Sequence, residues 1–268
     1  MHKIRVRMKL KEVIAALEQF APLPLQDDFD NAGLQVGLTE ADVTGALLCL
    51  DVTEAVVREA IQLGLNLIVA HHPLLFHPLR HVTGSTYVER CTMLALQNGV
   101  AIYAAHTNLD NAFGGVNFEI ARRLGLEDIK MLVSRHIDGI EGGSGVIGQL
   151  SVPVSEKDFL RTLKQEFGVE CLMHNALTGR RIQNVALCGG AGSFLLREAI
   201  AQDADCFITG EMHYHDFFGL ENGPLVACLG HYQSEQYTTS IFERILREEF
   251  PDLRIEITSL NTNPIQYY

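Results

Sequence analysis

Short apolar runs recur along this chain, and each stops abruptly at a polar or glycine-rich break. Ala46-Leu47-Leu48-Cys49-Leu50 stops at Asp51, and Val185-Ala186-Leu187-Cys188 stops at Gly189-Gly190. Residues 65–70 run into His71-His72-Pro73, and residues 100–105 into His106-Thr107-Asn108-Leu109-Asp110. Cys206-Phe207-Ile208-Thr209-Gly210 runs into Glu211-Met212-His213-Tyr214-His215-Asp216, and residues 225–230 into His231-Tyr232-Gln233-Ser234-Glu235. Continuous runs of this length suit strands buried on both faces, as in a parallel sheet covered by helices. The intervening stretches carry helical periodicity instead. Residues 10–20 place Val13, Ile14 and Leu17 on one face, with Ala21 continuing it. Residues 53–63 and 193–202 read as helices, and Ser155 with Asp158 forms a start signal for a helix reaching Phe167. Residues 145–153 and 170–177 read as further strands. The glycine-rich stretch 139–145 reads as a linker.

The pattern occurs twice. Strand, helix, strand, long link, strand and His-x-x-x-acid appear in that order in both halves, and both helices contain Arg-Glu-Ala-Ile, at Arg58–Ile61 and Arg197–Ile200. In this register His72 falls on Glu211, and the pair His106/Asp110 falls on His231/Glu235. The expected fold is therefore α/β, with two similar lobes from an internal duplication, mixed or largely parallel sheets, and a site between the lobes at the strand C-terminal ends. Residues 1–125 are assigned to the first lobe with its N-terminal helix. Residues 126–183 form a connecting segment with its own strands and helix, and residues 184–268 form the second lobe, completing the site.

Composition narrows the function classes. Of the 268 residues, 47% are hydrophobic, enough for a substantial core and too many for a disordered chain. No apolar stretch approaches the ~20 residues that span a bilayer. The basic start, residues 1–9, is followed by a segment interrupted by Glu12 and Glu18, so a signal peptide is not expected, and Met8 is an alternative start. Six scattered cysteines without a Cys-x-x-Cys pair point to buried thiols in a reducing cytoplasm. A formal net charge of −12 opposes direct binding to a nucleic-acid backbone.

Strand ends are where sheets of this class bind ligands, and here they carry imidazoles and carboxylates. His71 and His72 follow a buried run, and at a frayed strand end both can turn into one crevice. His106 with Asp110, and His231 with Glu235, are spaced to share a helix face. Asn108 and Asp110 could equally be turn formers. Glu211, His213 and His215 alternate along the chain and suit either a site wall or an exposed loop. His77, His81, His136 and His174 are expected to be structural or solvated, and His2 to be disordered. Residues 189–193 suit a phosphate-binding turn less well than an ordinary strand-to-helix turn, because the Lys-Ser/Thr of a P-loop is missing. The ligand set His71, His72, Asp110, His231 and Glu235 is all nitrogen and oxygen, which suits zinc, iron, manganese, cobalt or nickel. Five such donors are too many for one open catalytic ion and fit two ions, ~3.5–4 Å apart, sharing a carboxylate. Metal-assisted hydrolysis is the chemistry such a pair performs. His106, Glu211 and His213 are candidates to support those ligands from behind.

Phe29-Asp30-Asn31-Ala32-Gly33-Leu34-Gln35-Val36-Gly37, His71-His72-Pro73, His106-Thr107-Asn108-Leu109-Asp110, Thr209-Gly210-Glu211 and Gly230-His231-Tyr232-Gln233-Ser234-Glu235 together resemble the NIF-three-like family, whose bacterial members are called GTP cyclohydrolase 1 type 2 homologs. The resemblance runs from about Leu10 to the end. It implies that His72, Asp110 and Glu235 hold one ion, that His71, His231 and Glu235 hold the other, and that Glu235 bridges. It also implies paired α/β lobes and a hexameric ring with its metal sites facing an inner cavity. Phe29 stands where the family usually has Trp, which keeps an aromatic ring, and residues 126–183 are too few for the large inserted domain of some relatives. The implied function is a dinuclear metal-dependent hydrolase of a nucleotide-like or other phosphate-bearing small molecule, in the cytoplasm. The alternative from another class is a non-catalytic metal-binding scaffold that regulates through protein partners.

Overall fold

The computed structural model describes residues 8–268, so His2 and the basic start up to residue 7 lie outside the described residues. The chain divides into two compact units. The first takes in the described residues up to Leu109 together with Thr238–Tyr268, and the second is Asp110–Tyr237.

The first unit begins with α1 (Leu10–Phe20), where Glu12 Oε2 accepts the Lys9 backbone N–H at 2.7 Å and so caps the helix start. A short strand β1 (Gly33–Val36) follows, then β2 (Ala46–Cys49), α2 (Glu54–Leu63), β3 (Leu67–Ala70), α3 (Tyr87–Gln97) and β4 (Ala101–Ala104). Thr53 caps α2 by accepting from Val56 N, and Gly64 ends it in the left-handed region at φ 69. A four-residue helix, α4 (Thr107–Asp110), spans the boundary between the units. The sheet order is β1-β4-β3-β2 with one further strand, and β2, β3 and β4 are parallel. Every residue of these three strands is buried, because α2 and α3 cover one face and α1 with a C-terminal helix covers the other. Cys49, Ala70 and Ala104 stand in one register row. The ladder continues past that row, with His71 N donating to Cys49 O, His72 N to Leu50 O and Ala105 N to Ala70 O. Asp51, His72 and His106 therefore leave the sheet from the same edge.

The second unit contains α5 (Val116–Arg123), β5 (Glu127–Ile137), β6 (Ile140–Ser155), α6 (Glu156–Glu166), β7 (Met173–His174), β8 (Arg181–Cys188), α7 (Leu196–Ala201), β9 (Cys206–Thr209), β10 (Leu225–Cys228) and α8 (His231–Glu235). Its sheet order is β5-β6-β8-β9-β10-β7, and β8, β9 and β10 are parallel. Cys188, Thr209 and Cys228 form the register row that corresponds to Cys49, Ala70 and Ala104. Phe207, fully buried against Leu195, Leu196 and Ala199, contributes on the order of 1.5–3 kcal/mol to this core. The repeat read from sequence is thus present as two three-strand parallel cores of the same strand order. Ser155 caps α6 as expected, with its hydroxyl accepting from Asp158 N at 3.1 Å.

Four expectations need correction. The segment 139–145 is no linker. Asp138 and Gly139, at φ 51 and 84, make the tight turn of the β5–β6 hairpin, and the glycines after it are sheet residues. A Cβ at Gly143 would lie 2.2 Å from Val133 O, so glycine there reflects close strand approach, not flexibility. The connecting segment 126–183 is not separate either, since β5, β6 and β7 all belong to the second sheet. Residues 238–268, moreover, belong to the first unit. Helix α9 (Thr238–Glu249) buries Ile241, Phe242, Ile245 and Leu246, packing against α1 and β2, and β11 (Ile255–Ile257) pairs in parallel with β2. An open β2 edge needs a partner, and a short three-residue strand lacking a strong pattern supplies it. The strand expected over 170–177 shrinks to two residues. Five of the six cysteines are buried, and none of the six forms a disulfide. Among the described residues no helix is long and apolar enough to cross a membrane.

Candidate metal centre

In the first unit the strand ends bring three imidazoles together. Ring centroids of His71 and His72 lie 4.9 Å apart, and that of His106 lies 5.3 and 5.4 Å from them. Each ring offers a nitrogen such that all three atoms fall within 4.8 Å of one another. What holds each ring decides which nitrogen that is. His71 Nδ1 lies 2.9 Å from Ala105 O, His72 Nδ1 2.7 Å from Asp51 Oδ1, and His106 Nδ1 2.8 Å from Asp30 Oδ1. A carbonyl only accepts, and both carboxylates stay ionised. For Asp30, burial pushes the pKa up, but hydrogen bonds from His106, Thr107 and Asn31 outweigh it and hold it at about 2. For Asp51, burial is likewise outweighed by His72 and Thr262, and the pKa falls below the usual carboxylate value. Nδ1 must therefore carry the proton on all three rings, and in the neutral imidazole the lone pair belongs to Nε2.

Asp30 does more than orient one ring. Its second oxygen accepts from Thr107 N at 3.0 Å and from the Thr107 hydroxyl, which fixes the start of α4. Asn108 completes the turn: its Oδ1 accepts from His106 N, and its amide donates to Ala21 O at 2.7 Å. Of the two residues read as possible turn formers, Asn108 fills that role, buried and hydrogen-bonded through both side-chain atoms. Asp110 ends α4, and its carbonyl accepts from Asn117 Nδ2 at 3.1 Å.

The second unit treats its histidine the same way. His231 opens α8 with Nδ1 2.8 Å from Glu211 Oε1 and Nε2 3.1 Å from Glu235 Oε2. An imidazole lone pair and a carboxylate oxygen that close need a proton or a cation between them. Donors each ~2.0–2.2 Å from one ion lie roughly 3–3.4 Å apart, so the spacing suits shared coordination. The Glu235 side chain is 4% exposed and rests on the turn after β8. A Cβ on Gly190 would sit 2.3 Å from Glu235 Oε1, and Gly190 N donates to Ser234 Oγ. Gly190 thus makes room for the Glu235 carboxylate, whereas Gly192 makes room for Cys188.

Of the residues singled out in sequence, His71 and His72 follow β3, Asp110 ends α4, and His231 and Glu235 open and close α8. The first unit gathers His106 with His71 and His72, and the second pairs His231 with Glu235 and backs it with Glu211. His213 does not join them: its side chain is 91% exposed and faces Asp216 on a short turn. His215 is exposed beside Tyr214 and Phe218, and His77, His81, His136 and His174 are also exposed. Asp30 and Asp51 escaped the sequence reading, although Asp51 ends an apolar run just as His71 does. Nitrogen and oxygen donors with oriented Nε2 atoms, each backed by an oxygen acceptor, fit a borderline divalent metal ion.

Comparison with known proteins identifies the fold's relatives. A Lactococcus lactis subsp. lactis protein called "GTP cyclohydrolase 1 type 2 homolog" is 33% identical over 264 residues, covering 96% of this chain and 98% of its own. A Clostridium perfringens protein with the same name is 30% identical over 262 residues, covering 97% and 100%. The crystal structure of Staphylococcus aureus protein SA1388 superposes with a TM-score of 0.89 at 25% identity, covering 97% and 99%. The family model described as Duf34/NIF3 (NGG1p interacting factor 3) matches residues 8–264. With the whole fold and its strand-end histidines inside that match, the chain belongs to the Duf34/NIF3 family.

Proposed function

We propose that His71, His72, Asp110, His231 and Glu235 hold two divalent transition-metal ions, with Glu235 shared, and that the protein is a metal-dependent hydrolase of a nucleotide-like or other phosphate-bearing small molecule. The observation that carries the reading is the uniform treatment of His71, His72 and His231, whose Nδ1 atoms all meet an oxygen acceptor. That arrangement selects the Nε2 lone pair and stiffens the ring, as ligand histidines require. Ions held there supply Lewis acidity toward a phosphoryl or carbonyl oxygen and toward water. The residues themselves set the donors' charge and direction. Glu235, mostly covered, brings a negative charge that two cations offset, and Glu211 keeps His231 in one tautomer. The substrate class rests on the relatives' name and on the chain's net negative charge, which makes a local cation the natural anchor for a phosphate. A hexameric ring is part of the same proposal and rests on the family resemblance.

The test is a screen of metal-replete protein against GTP, other nucleotides and cyclic phosphates, with Asp110→Ala as control. Turnover that vanishes in the variant supports the hydrolase. Two ions bound per chain without turnover under any metal would leave a binding scaffold and refute the enzyme. Elemental analysis showing one ion, with no second site on titration, would refute the shared carboxylate.

A further inference from the structure

The segment after β11 crosses the first unit and ends at the carboxylate that orients His72. Thr258 N extends the ladder to Leu48 O at 2.9 Å. Glu59 on α2 then seizes the segment, accepting from the Thr258 hydroxyl, from Ser259 N at 2.9 Å and from Ser259 Oγ at 2.7 Å. Three residues on, Thr262 Oγ1 donates to Asp51 Oδ2 at 2.7 Å, while Asp51 Oδ1 takes His72 Nδ1 at 2.7 Å. Each carboxylate oxygen thus has its own partner. A carboxylate able to rotate about its Cβ–Cγ bond would orient a ring only part of the time. One pinned from behind presents a fixed oxygen.

We propose that Asp51 is the positioning residue for His72, and that Thr262, delivered by the Glu59-anchored C-terminal segment, locks Asp51 in the orientation that reserves His72 Nε2 for a metal ion. The inference rests on the proposed metal centre for its consequence, though the ring orientation stands without it. Nothing in the pattern of apolar runs marks Thr262, which lies 211 residues from Asp51 in sequence. The fold closes that separation, because β2, α2, β3 and β11 all belong to one unit and β11 lies directly beside β2. The C-terminal segment accordingly acts as part of the ligand support.

The experiment uses the full chain, with Asp51→Ala, Asp51→Asn and Thr262→Val compared with the parent. Zinc affinity is read by competition with a chromophoric chelator, and the His72 tautomer by nitrogen chemical shifts in the metal-free protein. Orienting partners of ligand histidines are worth about 10–100-fold in affinity, so Asp51→Ala should lose at least about tenfold. Asp51→Asn, whose carbonyl still accepts, should recover part of that loss. Thr262→Val keeps the shape, and it should lose severalfold and loosen the tautomer preference. In the parent His72 should be protonated on Nδ1; in Asp51→Ala the Nε2-protonated form should grow. Unchanged affinity and tautomer in Asp51→Ala would overturn the inference. If the parent takes up no zinc, the metal centre fails, and the tautomer alone decides: a shift upholds the positioning role and no shift ends it.

Discussion

Replacing Gly190 with alanine offers a clean measure of how tightly the fold holds Glu235. Gly190 has φ 58, and a Cβ there would lie 2.3 Å from Glu235 Oε1, 3.3 Å from its Cδ and 3.5 Å from His231 Cε1. Gly64, the C-cap of α2, has a similar φ of 69, but a Cβ there would meet nothing within 4 Å. Both substitutions carry the left-handed backbone cost, about 1–2 kcal/mol for an L-residue, reduced by roughly 0.4–1 kcal/mol through the stiffer unfolded chain. Carbon–oxygen contacts settle near ~3.3 Å, so in Gly190→Ala the carboxylate must retreat by about 1 Å. Constellations tolerate about 0.5 Å before they lose their function. Gly64→Ala should therefore lower Tm by a few degrees and leave zinc binding untouched. Gly190→Ala should lower it by at least as much and weaken zinc binding at least about tenfold. Calorimetry and zinc titration on both proteins read the two effects separately. Zinc binding in Gly190→Ala equal to that in Gly64→Ala would refute the role given to the glycine turn, and with it the fixed position of Glu235.

Two further outcomes are expected. If Glu235 is shared by both ions, Glu235→Gln keeps its volume but should empty the whole centre, whereas Asp110→Asn and His231→Ala should each weaken mainly one ion; metal content with circular dichroism as the folding control checks this. Glu89 provides the pH dependence: backbone hydrogen bonds from Thr83 and Ser85, with the Thr83 and Thr86 hydroxyls, pull its pKa from 4.5 down to about 2. A depressed carboxylate pKa stabilises the fold above the unfolded value, so this contribution is intact above about pH 4.5 and is lost as pH falls toward 2. Protection of the Thr83 and Ser85 amides should fall across that window in the parent and show no such transition in Glu89→Gln.

Periodicity located the elements whose burial is local. Residues 10–20 matched α1 to the residue, and Ser155 opened α6, because an amphipathic face and a cap are short-range facts. The parallel strands were legible for the same reason: a strand buried on both faces has no polar alternation to confuse. What escaped depended on distant partners. The glycines at 142, 143 and 145 resemble a linker until Val133 O is seen pressing on Gly143. Ile255-Glu256-Ile257 is too short to announce a strand, and only the open edge of β2 makes it one. The proposed metal donors were legible because buried runs ended at or just before them. Asp30 and Thr262 were not, since each meets its histidine or carboxylate across 76 and 211 residues respectively.

The two parallel cores also do different work at equivalent positions. Counting from the register rows, Asp51 and Gly190 are both two residues past their strand, β2 and β8. In the first unit that position carries the carboxylate that holds His72. In the second it carries no side chain at all, because Glu235 occupies the space a Cβ would fill. The next strand differs as well: His72, two residues past β3, is itself the held ring, while Glu211, two residues past β9, does the holding, at His231. The orienting carboxylate follows the first parallel strand in one unit and the second in the other, and each unit pairs a carboxylate with an imidazole. An orienting carboxylate beside an imidazole is thus present in both units although no equivalent residue supplies it. A bound cation would be served by either arrangement, since its demand is for an Nε2 lone pair held in place and not for a particular strand to supply the carboxylate.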